Sequence, residues 1–282
     1  MTTDDLLANG WTTAGDASPW RNDQRSPLSL RERVEAASAA GFKGFGLLYA
    51  DLVEAERELG LAGIRSLFED NGLVHLELEF LTDWWTDGPR RAASDAVRRN
   101  LLRAAEALGA HHIKIGPDFE DKPWDLDVWA KEFATLAAQA DGVGARLAIE
   151  FMLFSNIKSV HDALRLVEAA GHPAGGLVID VWHTERAQTP PAELADIPGS
   201  RIIGVELSDA DSRVVDTLLE DTLRHRRLCG EGSFDLPGII SALRTAGWSG
   251  PWGVEILSDT YRALPVREAT EAAYRTAADL LK

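Results

Sequence analysis

Residues 145–180 read ARLAIEFMLFSNIKSVHDALRLVEAAGHPAGGLVID. In ARLAIEF, Leu147, Ile149 and Phe151 share one face while Ala148 and Glu150 share the other, the alternation of a strand. An amphipathic stretch, SVHDALRLVEAAG, follows, and then GLVID, a second apolar run that again stops at an acid, Asp180. Strand, helix and strand in this order read as a parallel pair joined by its crossover.

The same unit recurs in both directions. Downstream, RIIGVELSD (201–209) brings its apolar run to Glu206 and GPWGVEIL (250–257) to Glu255. Helical stretches lie around PAELADI, DLPGIISALRTAG and PVREATEAAYRTAADLL. Upstream stand the runs KGFGLLYA, LVHLELEFL and HHIKIG, each followed by a helical segment, and before them LSLRERVEAASAAG, closed by Gly41. A weak first strand is expected around WTTAGD (11–16). Eight such units, with no linker or low-complexity tract between them, predict an α/β fold: a single (β/α)8 TIM barrel, one domain over residues 1–282.

Parity places the chemistry. Ile203, Val205 and Leu207 oppose Gly204 and Glu206, and Trp252, Val254 and Ile256 oppose Gly253 and Glu255. The apolar faces are expected to meet the helices, leaving the acids and their small neighbours toward the barrel axis. Glu150, Asp180, Glu206 and Glu255 then converge at the C-terminal strand ends, where barrel active sites lie.

Composition narrows the partners. The chain has 282 residues and a formal net charge of -16, which excludes a nucleic-acid footprint and suits a neutral sugar or polyol better than a polyanion. One cysteine, Cys229, allows neither a disulfide framework nor a cysteine metal site and fits a reducing cytoplasm. MTTDDLLANG lacks the apolar core of a signal peptide. The apolar runs fall short of the roughly 20 residues of a membrane span. A soluble cytoplasmic protein with no membrane or nucleic-acid partner is expected.

Four like charges in one pocket need a counter-charge, and a divalent metal supplies it. Oxygen donors suit manganese, the expected ion, or magnesium; an added imidazole would move the preference toward zinc or cobalt. The competing reading makes one or two of the acids salt-bridged barrel residues. His183, three residues after Asp180 in DVWH, is expected to lean from a loop over the mouth, binding metal or a substrate oxygen. RRLCGEGSFDL joins Arg226 and Arg227 to a Gly230-Glu231-Gly232 turn; such glycines admit a ligand close to the backbone, and a plain surface turn is the alternative. Lys114 and His112 share the inward face of HHIKIG, and Glu77 and Glu79 that of HLELEFL. Lys114 is therefore either a brace to a buried glutamate or a substrate contact. Trp84, Trp85, Trp124 and Trp182, near strand ends or loops, either pack or stack on a sugar face. His75, His111, His161, His172 and His225 read as structural.

In IEFM, VIDVWH, GVELSD, RRLCGEG and GVEILSD the chain resembles the sugar phosphate isomerase/epimerase superfamily. These xylose isomerase-like barrels include ketose 3-epimerases and inosose-processing enzymes, and the resemblance runs from LSLRERVEAASAAGF to the C-terminus. It places Glu150, Asp180 and Glu255 on three metal-ligand positions, Glu150 and Glu255 on the acid/base glutamates, and His183 and Arg226 on positions that contact substrate oxygens. It also implies a dimer or tetramer. Glu206 stands where the family usually has histidine, or glutamine in some branches, and this all-carboxylate set favours manganese or magnesium over zinc. Cys229 stands where proline is common.

The activity so implied is a divalent-metal-dependent isomerase or epimerase of a free sugar, keto-sugar or cyclic polyol. The metal would stabilise an enediolate while one of Glu150 and Glu255 removes a proton and the other returns it. If the enediolate carries a beta leaving group, the enzyme is a lyase instead: an inosose or dehydroshikimate-type dehydratase, or a deglycosidase of 3-keto-glycosides. A barrel that binds sugar or metal without turnover is the third reading, and the complete acid set opposes it.

Overall fold

Eight parallel strands close into a barrel in chain order: β1 (Leu6–Ala8), β2 (Gly44–Leu48), β3 (His75–Leu81), β4 (His112–Ile115), β5 (Arg146–Glu150), β6 (Gly175–Asp180), β7 (Ile202–Leu207) and β8 (Trp252–Val254). β8 returns to β1 with Leu6 beside Trp252 and Ala8 beside Val254. This computed structural model describes residues 4–120 and 122–282. The TIM barrel expected from the alternating pattern is the fold.

The helices are α1 (Gly10–Thr13), α2 (Leu30–Ala40), α3 (Tyr49–Asp70), α4 (Gly88–Leu108), α5 (Leu126–Gly142), α6 (Val160–Ala170), α7 (Val181–Arg186), α8 (Pro191–Ala195), α9 (Leu218–Arg224), α10 (Leu236–Ala246), α11 (Asp259–Arg262) and α12 (Val266–Leu281). Local chemistry sets their ends. Ser29, Asp125, Ser159, Thr217 and Asp235 each accept a backbone N–H at a helix start. α2 and α6 stop at Gly41 and Gly171, whose φ of 115° and 67° lies in the left-handed region. No described helix is long and apolar enough to cross a membrane.

The strands' outward residues, among them Leu147, Ile149, Phe151, Leu177, Ile179, Val205 and Leu207, merge with helix residues such as Val34, Ile64, Phe133, Leu166 and Leu243 into one buried core. Burial of this sheath, at about 25 cal/mol per Å² of apolar surface, holds the helices on the barrel.

Two expectations are corrected. The first strand is Leu6–Ala8, not WTTAGD; Trp11, Thr12 and Thr13 lie in α1. The paired threonines are β-branched and look like strand, but Asn9 caps the turn by accepting from Trp11 N, and Thr12 Oγ1 donates to Val254 O at 2.7 Å. The second correction is Ile203, expected on the helix-facing side. β6 and β7 pair Leu177 with Ile202 and then Val178 with Gly204, so β7 carries one extra residue. Such a bulge changes parity, and Ile203 turns inward onto Ala148 and Val178, one layer below the acids.

Candidate active site

Glu150 and Asp180 close β5 and β6, Glu206 stands one residue before the end of β7, and Glu255 follows β8 directly. One oxygen from each of the four lies within 4.8 Å of the others, and His183 forms an overlapping group with Glu150 and Asp180. All five side chains are buried.

Two buried cations answer them. Lys114, on β4, brings Nζ to 2.7 Å from both Glu79 Oε2 and Glu206 Oε1, 3.4 Å from Glu150 Oε2 and 3.6 Å from Glu255 Oε1. Arg226 reaches Asp180 Oδ2 at 2.8 Å and Glu255 Oε2 at 3.0 Å. Its Nε and NH2 donate to Thr222 Oγ1, and its backbone N–H donates to Leu257 O. Lys114 thus braces buried glutamates, with Glu79 rather than Glu77 as its partner on β3, and it also lines the cavity above them. Glu77 Oε1 instead accepts from Asn9 Nδ2, which also donates to Glu206 Oε1 at 2.8 Å.

The interior carries more acid than base, and the carboxyls show it. Burial, then repulsion from Glu79, pushes the Glu77 carboxyl up to about 8. Burial also raises Glu150 to about 8, against the pull of Lys114. Glu79 and Glu206 are raised as well, again by burial first. Burial opposes the charge on Lys114, but Glu150, Glu206, Glu79 and Glu255 outweigh it and hold the ammonium well above its ordinary range. Burial, then Arg226, keeps the His183 imidazole neutral far below its ordinary value.

These residues fit a divalent cation. Glu206 Oε2 and Asp180 Oδ2 are buried without a hydrogen bond, the latter facing Arg226 at 2.8 Å and His183 Nε2 at 3.9 Å. An unpaired buried carboxylate oxygen such as Glu206 Oε2 is costly in an acid-rich pocket, and hard oxygen donors match hard ions.

Several sequence expectations change here. His183 sits in the first turn of α7, not in a loop, because Asp180 caps that helix by accepting from Trp182 N at 2.7 Å. The turn leaves His183 Nε2 3.7 Å from Glu150 Oε1. The Gly230–Gly232 turn wraps Asp209, which accepts from Gly230 N at 3.0 Å and Phe234 N at 3.1 Å. A Cβ on residue 232 would strike that carboxylate. Arg227 points away to Asp211. Trp84, Trp85, Trp124 and Trp182 pack rather than face the cavity. Trp84 Nε1 donates to Gly116 O, Trp85 stacks on Trp129, Trp124 lies beneath Arg165, and Trp182 Nε1 donates to Asp221.

A cavity of about 410 Å³ opens over the acids, floored by Glu79, Lys114, Glu150, His183, Arg226 and Glu255. The rings that line it are Trp11, Trp20, Tyr49, Phe80, Phe119 and Phe154. Sequence reasoning missed these rings, as it missed Asn9 and Thr222. Asn9 follows β1 directly and was hidden by the misplaced first strand.

Residues 34–282 match the profile of the xylose isomerase-like TIM barrels. Over 252 residues the chain is 29% identical to a 3-dehydroshikimate dehydratase of Pseudomonas putida, covering 85% of this chain and 38% of that protein. The chain therefore spans well under half the length of that relative. Over 193 residues it is 25% identical to an inosose isomerase of Bacillus subtilis, covering 65% of this chain and 67% of the relative. The crystal structure of the IOLI protein with a bound zinc atom aligns over 98% of both chains at a TM-score of 0.81 and 19% identity, a likeness of fold.

Proposed function

The chain belongs to the xylose isomerase-like TIM barrel family, and from that premise we propose a divalent-cation-dependent enzyme that moves a proton beside the carbonyl of a keto-sugar or cyclic keto-polyol, yielding an isomer or epimer. The observation that carries this reading is the meeting of Glu150, Asp180, Glu206 and Glu255 within 4.8 Å beneath a cavity.

Those four carboxylates would hold the cation, and their oxygens favour manganese, with magnesium, cobalt or zinc as alternatives. When bound, it supplies the positive charge against which an oxyanion develops as the neighbouring C–H loses its proton. Glu150 and Glu255 act as the acid/base pair: one accepts the proton from carbon, and the other delivers a proton to the adjacent carbon or the opposite face. Arg226, fixed by Asp180, Thr222 and the Leu257 carbonyl, orients Glu255 and borders the substrate oxygens. The neutral His183 imidazole can donate one hydrogen bond to such an oxygen without adding charge. Both cations on the cavity lining, Lys114 and Arg226, are already engaged by carboxylates, which supports an uncharged substrate.

The 29% identity to a dehydratase over 85% of this chain supports a second outcome from the same first step. With a leaving group beta to the carbonyl, the electron pair left by deprotonation expels it, and the enzyme is a lyase. Product analysis with keto-sugars and inososes separates the two: isomers mark the first, loss of water or aglycone the second. Glu150→Gln and Glu255→Gln are each expected to lower turnover of the manganese-loaded protein by about 10²-fold or more. Unchanged product formation in both variants would remove the pair from the chemistry.

A further inference from the structure

Above its ionisable floor the cavity changes character. The wall is carbon, built around Trp20, Phe119 and Phe154 with Leu219, Leu223 and Leu257. Trp20 stands edge-on to Phe119 at 4.7 Å and to Phe154 at 6.5 Å, and Phe119 stacks over Phe154 at 6.2 Å. The three rings come from separate segments, after α1, β4 and β5. Mutual packing alone does not account for them: Trp20 remains 48% exposed although it touches two other rings.

Polar partners on this wall are few. Thr222 Oγ1 is occupied by Arg226, and the Tyr49 hydroxyl accepts from Asn100. Above the His183 imidazole of the floor, that leaves Gln24, Thr82 and the edge N–H groups of the Trp11 and Trp20 indoles as the uncommitted neutral polar groups of the lining among the described residues. A second sugar ring placed here would bury hydroxyls against carbon, and each unpaired hydroxyl is costly. A flat apolar group loses nothing and gains ring contacts. The volume of about 410 Å³ falls in the range of cavities that enclose drug-sized ligands.

Building on the proposed function, we infer that the substrate is a keto-polyol bearing an aryl-sized apolar substituent, with the oxygenated ring on the acid floor and the substituent between Trp20, Phe119 and Phe154. The polar head is read by the floor, and the substituent by the mouth.

Calorimetric titration of the manganese-loaded protein tests this with para-nitrophenyl glucoside, methyl glucoside and para-nitrophenol, none of which carries the reactive carbonyl. The aryl glucoside is expected to bind about tenfold or more tightly than the methyl glucoside. That ratio should collapse toward one in Trp20→Ala, which removes a side chain 48% exposed at the mouth, and in the milder Phe119→Leu. Equal affinities for the two glucosides, or no binding of either, would overturn the inference; the rings would then serve only to keep water from the acids. Aryl binding that para-nitrophenol alone matches, or that ignores Trp20→Ala, would overturn it too. No turnover is measured here. A lost aryl preference therefore leaves the glutamate chemistry untouched, while inert behaviour of the Glu150 and Glu255 variants would count against that chemistry and not against the binding result.

Discussion

Lys114 brings one positive charge within 2.7 Å of two carboxylates and within 3.6 Å of two more. Removing one partner of a buried ionic cluster leaves the others uncompensated, at a cost of about 3–5 kcal/mol. Lys114→Met is therefore expected to melt on the order of 10 °C below the parent when metal-free. Manganese should raise the variant's melting temperature by more than the parent's, because the ion then answers charge that the ammonium no longer meets. Equal melting curves would show that the ammonium contributes little. Glu77 gives a pH signature. Its carboxyl is raised from 4.5 to about 8 in the fold, by burial first, so the folded protein binds that proton more tightly than the unfolded chain. The stabilisation is full below the unfolded value and is lost as the pH rises toward 8. Glu77→Gln keeps an oxygen for Asn9 and has no proton to lose. Its metal-free melting temperature should fall less steeply than the parent's between about pH 5 and pH 8, and an unchanged slope would remove Glu77 as a source of the pH dependence.

At the scale of elements, Asp180 serves two structures at once: Oδ1 caps α7 through Trp182 N, and Oδ2 meets Arg226. Asn caps as well as Asp, whereas Ala loses about 1 kcal/mol. Asp180→Asn should therefore keep the helical circular dichroism of the parent yet bind manganese at least about tenfold more weakly. Asp180→Ala should show the same loss of affinity and a lower melting temperature. Retained affinity in both variants would take Asp180 out of the ligand set. The same elements mark what could be read from the sequence. β5 and the end of β7 show clean alternation up to an acid, and β6 is an apolar run that stops at one, so the strands and the inward parity of Glu150 and Glu206 were legible. β1 has three residues, too few to alternate, and the β-branched Thr12 and Thr13 next to it imitated a strand. The bulge at Ile203 leaves composition unchanged and appears only when β7 is paired against β6. Trp20, Phe119 and Phe154 lie in loops without a period, and only the closed barrel brings them together.

Across the whole molecule the imbalance is one of charge: Glu77, Glu79, Glu150, Asp180, Glu206 and Glu255 face Lys114 and Arg226 in the interior, in a chain whose formal net charge is -16. Surface repulsion and interior repulsion respond to different ions. Monovalent salt screens exposed charges over about 10 Å at 0.1 M but reaches buried ones poorly, whereas an ion seated among the acids acts on the interior directly. A ligand that binds only the folded state stabilises it by about 2.7 kcal/mol at 100 times its dissociation constant, worth about 5–10 °C in a chain of this size. Dialysis against a chelator is therefore expected to lower the melting temperature by at least that amount. Manganese should restore it, and molar potassium chloride should recover only the part owed to the surface. Potassium chloride that substitutes fully for manganese, or a melting temperature indifferent to both, would mean that Lys114 and Arg226 already satisfy the acids. The pocket would then have no need of a divalent ion, and the acid–base chemistry would have to proceed on the resident cations alone.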